Sequence, residues 1–252
     1  MAHGIKLHVW GDYALFTRPE MKVERVSYDV MTPSAARGIL EAIYWKPQFR
    51  WNILSIEVLR PIRFTNIRRN EVGNKMTVPS AAVMEGQPAA LGFCVDEVDS
   101  QGKLKYRLQR ASTLLRDVAY VIHAEVIIKD SAMERGGEKY PEYEAAGKHL
   151  AIFKRKAAAG QYRHHPCLGC REFPADFALL ADDAPSPPSE LPEADRNRTL
   201  GWMLHDIAYI EDKRGPIIES QQGQRLRAEP RFFNAEMKNG IITVPPLAAS
   251  KA

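Results

Sequence analysis

Residues 32–47 read Thr-Pro-Ser-Ala-Ala-Arg-Gly-Ile-Leu-Glu-Ala-Ile-Tyr-Trp-Lys-Pro, and this stretch decides how the N-terminal half is read. Thr32 suits a helix N-cap, and Pro33 suits the first helical position, where its missing N–H costs nothing. Ala35, Ala36, Ile39, Leu40 and Ile43 recur at helical spacing and mark a buried face. Pro47 stops the helix, because the residue before a proline is pushed out of helical geometry. Tyr44 closes it, about 100° off the apolar stripe. Nothing in that pattern demands that Tyr44 pack, although a tyrosine's commonest role is amphipathic filling.

Strands flank this helix. Before it, Ile5, Leu7 and Val9 alternate with Lys6, His8 and Trp10, the period of a half-buried strand, which Gly11-Asp12 ends. After it, residues 53–59 form one strand, 61–76 read as strand, basic loop and return, and 120–128 alternate as a long strand. A second helix is predicted over 148–158, entered at Gly147, with Leu150, Phe153 and Ala157 on one side. Residues 168–173 supply a fourth strand. The order β-α-β, hairpin, β-α-β is that of an α+β, ferredoxin-like (RRM-like) domain, here residues 1–176. An acidic, Pro-rich loop over 182–195 follows. Three short segments, 201–210, 231–236 and 240–244, then predict a small antiparallel β-sheet domain over 177–252.

The chain has 252 residues, 45% of them hydrophobic, enough for a real core, and a net charge of only +4. Charge distribution says more. Residues 148–171 carry six Lys/Arg and no acid, and 60–75 carry five against one acid, whereas 176–196 carry six acids against one base. Basic segments of this kind suit phosphates, although they also suit plain solvated surface. No apolar run approaches the roughly 20 residues needed to span a bilayer. No signal-peptide core is present, so a soluble, cytoplasmic protein without membrane partners is expected.

Two clusters carry chemistry. Lys148-His149 follows Gly147, and Tyr44-Trp45-Lys46-Pro47 ends the first helix. Together they supply an ammonium, an imidazole and a phenol, which suffice to move protons at a phosphodiester without a metal. Read alone, Lys148 and His149 also fit an ordinary exposed lysine and a boundary histidine. Cys167-Leu-Gly-Cys170, after His164 and His165, resembles half of a zinc site, but Cys94 is the only other cysteine and no second pair has suitable spacing. A redox CxxC is no better supported, with Pro166 and Gly169 flanking it. The aromatic signature of ordinary RNA-recognition domains is absent.

Five strings identify a family resemblance: Gly11-Asp-Tyr-Ala-Leu-Phe-Thr17, Gly38-Ile-Leu-Glu-Ala-Ile-Tyr-Trp-Lys-Pro47, Arg110-Ala-Ser-Thr-Leu-Leu-Arg-Asp-Val-Ala-Tyr120, Leu168-Gly-Cys-Arg-Glu-Phe173 and Gly201-Trp-Met-Leu-His205. They resemble the CRISPR-associated proteins of the fifth Cas family, d subtype, of type I-C systems. The resemblance covers nearly the whole chain, although the Pro-rich acidic segment matches no family pattern.

The resemblance implies an endoribonuclease of the RAMP superfamily that cuts precursor CRISPR RNA at the base of the repeat hairpin. It then stays on the 5′ handle of the crRNA beside the other subunits of the type I-C interference complex. The family's catalytic set falls on Tyr44, Lys148 and His149, and it calls for no metal or other cofactor. Cleavage proceeds by 2′-OH attack, leaving a 2′,3′-cyclic phosphate and a 5′-OH. His149 is the general acid or base, Lys148 offsets phosphorane charge, and Tyr44 orients the 2′-OH or shares the proton, provided Lys148 lowers its pKa. Lys46, Arg68, Arg69, Arg110, Lys154 and Arg155 are expected to bind the RNA backbone. The alternatives are a non-catalytic crRNA-binding structural subunit, and non-specific DNA binding through the same basic surfaces.

Overall fold

The computed structural model describes residues 4–21, 23–75, 78–86, 94–129, 134–135, 138–139, 142–212 and 225–250. In chain order the elements are β1 (Gly4–Ala14), β2 (Arg25–Val26), α1 (Pro33–Ile43), β3 (Phe49–Val58), β4 (Phe64–Val72), α2 (Ala81–Met84) and β5 (Arg107–Ile128). There follow β6 (Glu134–Arg135), β7 (Glu138–Lys139), α3 (Glu142–Ala158), β8 (Asp176–Leu180), β9 (Arg198–Glu211), β10 (Leu226–Lys238) and β11 (Ile241–Thr243).

One nine-stranded sheet runs β8-β1-β5-β3-β11-β10-β9, with β2 and β4 also pairing β5. Every pairing in it is antiparallel except β2 with β5. The alternation read in β1 holds, since Ile5, Leu7 and Val9 are all buried. They meet α1 through Ile39, Leu40 and Ile43, and α3 through Leu150, Phe153 and Ala157, in one apolar cluster. Helix α1 starts as predicted: the Ala35 N–H donates to Thr32 Oγ1 at 3.2 Å, with Pro33 in the first turn.

Several local expectations are corrected. Gly11-Asp12 does not end β1, because its pairing with β5 continues to Ala14↔Leu115. The basic loop read inside 61–76 is instead extended: residues 66–70 belong to β4, which lies along the first half of the 22-residue β5; Met76, at the end of that predicted hairpin, lies outside the described residues. Residues 168–173 are a tight loop closed by a Cys167↔Pro174 bridge, and the fourth strand is β8, three residues further on. Helix α3 begins at Glu142, so Lys148 and His149 lie inside it and not at its N-terminus.

The three C-terminal strands form as predicted, but they join the same sheet. Ile242 of β11 pairs with Ile56 of β3, and Met203, Phe233 and Met237 belong to the core that α1 and α3 cover. The acidic segment is anchored at both ends: Lys6 Nζ donates to the Ala184 carbonyl at 3.2 Å, and the Glu190 N–H to the Leu59 carbonyl at 2.7 Å.

A fork between Arg37 and Asp206 ties α1 to β9, with Nε and Nη2 at 2.7 and 2.8 Å from the two carboxylate oxygens and Nη1 on Glu41 at 2.8 Å. Both Arg37 and Asp206 are mostly shielded. Arg37→Ala is expected to cost about 1.5–3 kcal/mol, the range for hydrogen bonds to charged groups. Thermal unfolding of the variant checks this as a lowered Tm.

Candidate functional site

The site begins where α1 stops. Tyr44 caps the helix with an extended backbone (φ −156°, ψ 125°), its N–H still donating to the Leu40 carbonyl. Because the residue has left the helix, the helical-wheel angle does not apply to it, and its ring is in fact 93% buried (7% exposed). A turn through Pro47 brings in β3, and Trp51 Nε1 donates to the Tyr44 carbonyl at 3.1 Å. Phe49, fully buried, stacks on the Tyr44 ring at 5.7 Å between centroids.

The second half arrives on α3. Residues i and i+2 of a strand share a face, as do i and i+4 of a helix. Phe49 and Trp51 of β3 therefore receive His149 and Phe153 of α3, each pair with ring centroids 4.7 Å apart. This double aromatic contact fixes the height and rotation of α3 over the sheet. It places His149 Nδ1 2.9 Å from Tyr44 Oη, within hydrogen-bond reach. Two residues separated by 105 positions thus share one bond.

The electrostatics set both groups neutral near pH 7. Burial raises the Tyr44 phenol above its usual value. The condition set on Tyr44 as a base, that Lys148 lower its pKa, is therefore not met. His149 moves the other way: burial, then the positive charges of Lys148 and Lys46, lower its pKa. Both lysines are exposed, and both lie near enough to the imidazole to act on it. Such a pair, a protonated phenol against a neutral imidazole with two ammonium groups alongside, is equipped to move a proton next to an anion.

The other predicted contact residues fall in two places. Lys154 and Arg155 continue along α3, about 10 Å beyond Lys148 at 1.5 Å per residue. Arg155 is exposed, while Lys154 Nζ bonds both oxygens of Asp182 at 2.7 Å. Arg68, Arg69 and Arg110 lie at the other end of β5. Arg69 sits opposite Arg110 in the β4–β5 ladder, whereas the site lies by Ile128, which pairs with Phe49. Eighteen extended residues, up to about 60 Å at 3.3 Å each, separate the two ends. Arg69 is engaged internally, with Glu172 and with Ser112 Oγ at 3.1 Å.

Phe49 and Trp51, which position the dyad, escaped the sequence reading. The available signal was their alternation straight after the turn at Pro47. Cys167 and Cys170 are free thiols, and burial pushes Cys167 up, away from thiolate character. Among the described residues no group of three or more His, Cys, Asp or Glu is placed to hold a metal, and no helix is long and apolar enough to cross a membrane.

Comparison with known proteins gives the family. The family model Cas_Cas5d, described as CRISPR-associated protein (Cas_Cas5), matches residues 4–245. A protein of Mannheimia succiniciproducens named CRISPR pre-crRNA endoribonuclease Cas5d is 49% identical over 252 residues, covering 100% of this chain and 99% of that protein. One of the same name from Thermus thermophilus is 40% identical over 245 residues, covering 96% and 91%. Two solved structures share the fold. A crystal structure of a CRISPR-associated protein aligns with TM-score 0.59 at 22% identity, over 100% of this chain and 96% of that one. A functionally uncharacterized protein from Streptococcus mutans aligns with TM-score 0.58 at 21% identity, over the same shares. The mostly antiparallel sheet with few helices is therefore the fold of a CRISPR-associated protein.

Proposed function

Because the chain belongs to the Cas5d family of CRISPR-associated proteins, we propose that it is the endoribonuclease that cuts precursor CRISPR RNA in the repeat hairpin. It then stays on the 5′ handle of the guide, among the other subunits of the type I-C interference complex. The observation that carries this reading is the 2.9 Å contact between Tyr44 Oη and His149 Nδ1, with Lys148 and Lys46 beside it.

The lowered pKa of His149 supports one direction of proton flow. An acid that is already deprotonated at neutral pH is a poor donor, so His149 acts as the base. In the tautomer whose Nδ1–H donates to Tyr44 Oη, Nε2 keeps the lone pair that serves as the base. It removes the proton of the ribose 2′-OH, and the 2′-oxygen bonds to the adjacent phosphorus. The P–O5′ bond breaks, and the 5′-oxygen leaves as a hydroxyl with a proton from water. The products are a 2′,3′-cyclic phosphate and a 5′-OH. Lys148 offsets the charge that builds on the phosphorane oxygens, and Tyr44 holds the imidazole and stabilises it as it becomes charged.

Residues 1–176 are read as a ferredoxin-like domain, extended to residue 180 because a boundary at 176 would cut through β8. The order β8-β1-β5-β3, with α1 between β1 and β3 along the chain and α3 between β5 and β8, supports this. Residues 181–252 are then a smaller β-rich part carried on the same sheet.

The purified chain, incubated alone with end-labelled repeat RNA, tests the function. One cut with cyclic-phosphate and 5′-OH ends is expected; an uncut, bound RNA would make the chain a non-catalytic guide-binding subunit. Tyr44→Phe keeps the ring packed on Phe49 but removes the bond to the imidazolium. At about 1.5–3 kcal/mol for a bond to a charged group, cleavage should slow about ten- to a hundredfold, as single-turnover rates would show.

A further inference from the structure

We propose that the cleft between α1 and the loop over residues 162–171 is a pocket for one unpaired nucleobase of the RNA, next to the scissile phosphate; this rests on the reading of the chain as a nuclease of repeat RNA. The cleft has a volume of about 440 Å³, in the range of small-ligand sites. Phe16 and Leu204 give it apolar walls for a base's face. The hydroxyls of Thr17 and Ser34 and the imidazole of His164 offer hydrogen bonds for its edge, and among the described residues no carboxylate lines it. Unpaired bases are recognised by this combination of apolar surface and edge-directed polar groups.

Its location joins it to the catalytic dyad. Ala42 lines the cleft, two residues before Tyr44. The Ala42 carbonyl accepts the N–H groups of Arg163 and His164, at 2.8 and 3.4 Å, so the loop is fastened to the end of α1. From Ser34 to Tyr44 the helix rises about 15 Å. An RNA strand crossing Tyr44 and His149 therefore passes the cleft mouth with its neighbouring nucleotides.

The loop is also preformed. The Leu15 N–H donates to the Leu168 carbonyl at 3.0 Å, and the Ala175 N–H to the Pro166 carbonyl at 2.9 Å. Gly169 has φ +89°, and a Cβ there would lie 2.1 Å from the Leu15 carbonyl oxygen, so only glycine fits. On the rim, Tyr162 and His165 lie 4.9 Å apart with Tyr162 exposed. His165 Nδ1 donates to the Pro166 carbonyl at 2.9 Å, which fixes the ring on the rim. Arg163 and Arg171 flank them, both exposed, and suit the adjoining phosphates. The Cys/His motif that resembled half of a zinc site thus serves as one wall of a base pocket.

Gly38 offers a clean test. It lies on α1 at the cleft, and a Cβ built there meets nothing within 4 Å. Gly38→Leu would put an isobutyl group at the cleft, taking up part of its space, while favouring the helix. Binding is read on repeat RNA whose 2′-OH at the cut is removed, so the result does not depend on cleavage. Gly38→Leu, with its Tm maintained, is expected to weaken binding about tenfold, the scale of one stacked base. Wild-type protein should lose the same factor on RNA lacking the base at one flanking position, and Gly38→Leu should lose nothing further on that RNA. Unchanged binding by folded Gly38→Leu, or losses that add at every flanking position, would overturn the pocket. Failure of wild-type protein to cut intact RNA would instead overturn the nuclease reading.

Discussion

A repeat RNA carrying a single 2′-deoxy nucleotide immediately before the cut is expected to bind the protein and stay whole. The proposed nucleophile is that hydroxyl, and with it removed no other group in the mechanism can attack the phosphorus. Binding should persist, because phosphate charge and hairpin shape are unaltered and one 2′-OH is a small share of the contacts. Loss of cleavage should be complete within the detection limit, while Kd at fixed salt should stay within a few-fold of that for intact RNA. Cleavage of the deoxy substrate at the same phosphate would mean that water, not ribose, attacks, and His149 would need another role.

The proposed binding is spread over a long surface. The exposed Arg68 and the paired Arg69 and Arg110 lie at one end of β5, and Lys46, Lys148 and Arg155 at the other. No compact ligand touches both groups. A folded RNA hairpin with single-stranded flanks is long enough, and its phosphates suit scattered arginines and lysines. Cleavage geometry and backbone affinity are therefore separable here, and the deoxy substrate exploits that separation.

How much of this was legible in the chain differs by level. Local signals worked where one segment decides its own structure: the Thr32-Pro33 entry of α1, the alternation of Ile5, Leu7 and Val9, and the three C-terminal strands. They failed where distant partners decide. Gly11 and Asp12 look like a strand end, yet ten registered pairs between β1 and β5 carry the strand past them. Residues 66–70 look like a polar tip, yet pairing with β5 holds them extended. Gly147 looks like a helix entry, yet α3 runs through it, at the modest cost of one glycine in an interior. That β11 joins the C-terminal strands to β3 has no local mark at all. At the site, Tyr44, Lys148 and His149 were named from resemblance, and their chemistry was plausible from residue type. Their meeting was not legible, because it depends on Phe49 and Trp51 receiving His149 and Phe153. Periodicity also misplaces Tyr44, which lies one residue beyond the helix, where a helical angle has no meaning.

His149→Ala is expected to lower the cleavage rate by about 10²–10⁴, the usual share of general acid–base catalysis, with repeat-RNA affinity nearly unchanged. A neutral imidazole neutralises no phosphate, so its removal should leave the salt dependence of binding as it was. The pH profile carries the sign. With His149 as the proposed base, the rate should rise with pH as the imidazole deprotonates. Burial, Lys148 and Lys46 lower its pKa from the ordinary 6.5, so the midpoint should lie below that value and the rate should be level around neutrality. His149→Ala should abolish this acidic limb. Lys148→Ala removes one of the charges that disfavour imidazolium, so its remaining activity should show a midpoint moved upward. A rate that falls as pH rises through the same range would make His149 the acid, and the Tyr44 contact would then hold a donor in place. Equal losses of binding and cleavage in His149→Ala would recast the residue as part of the RNA-holding surface and leave the base to be found elsewhere.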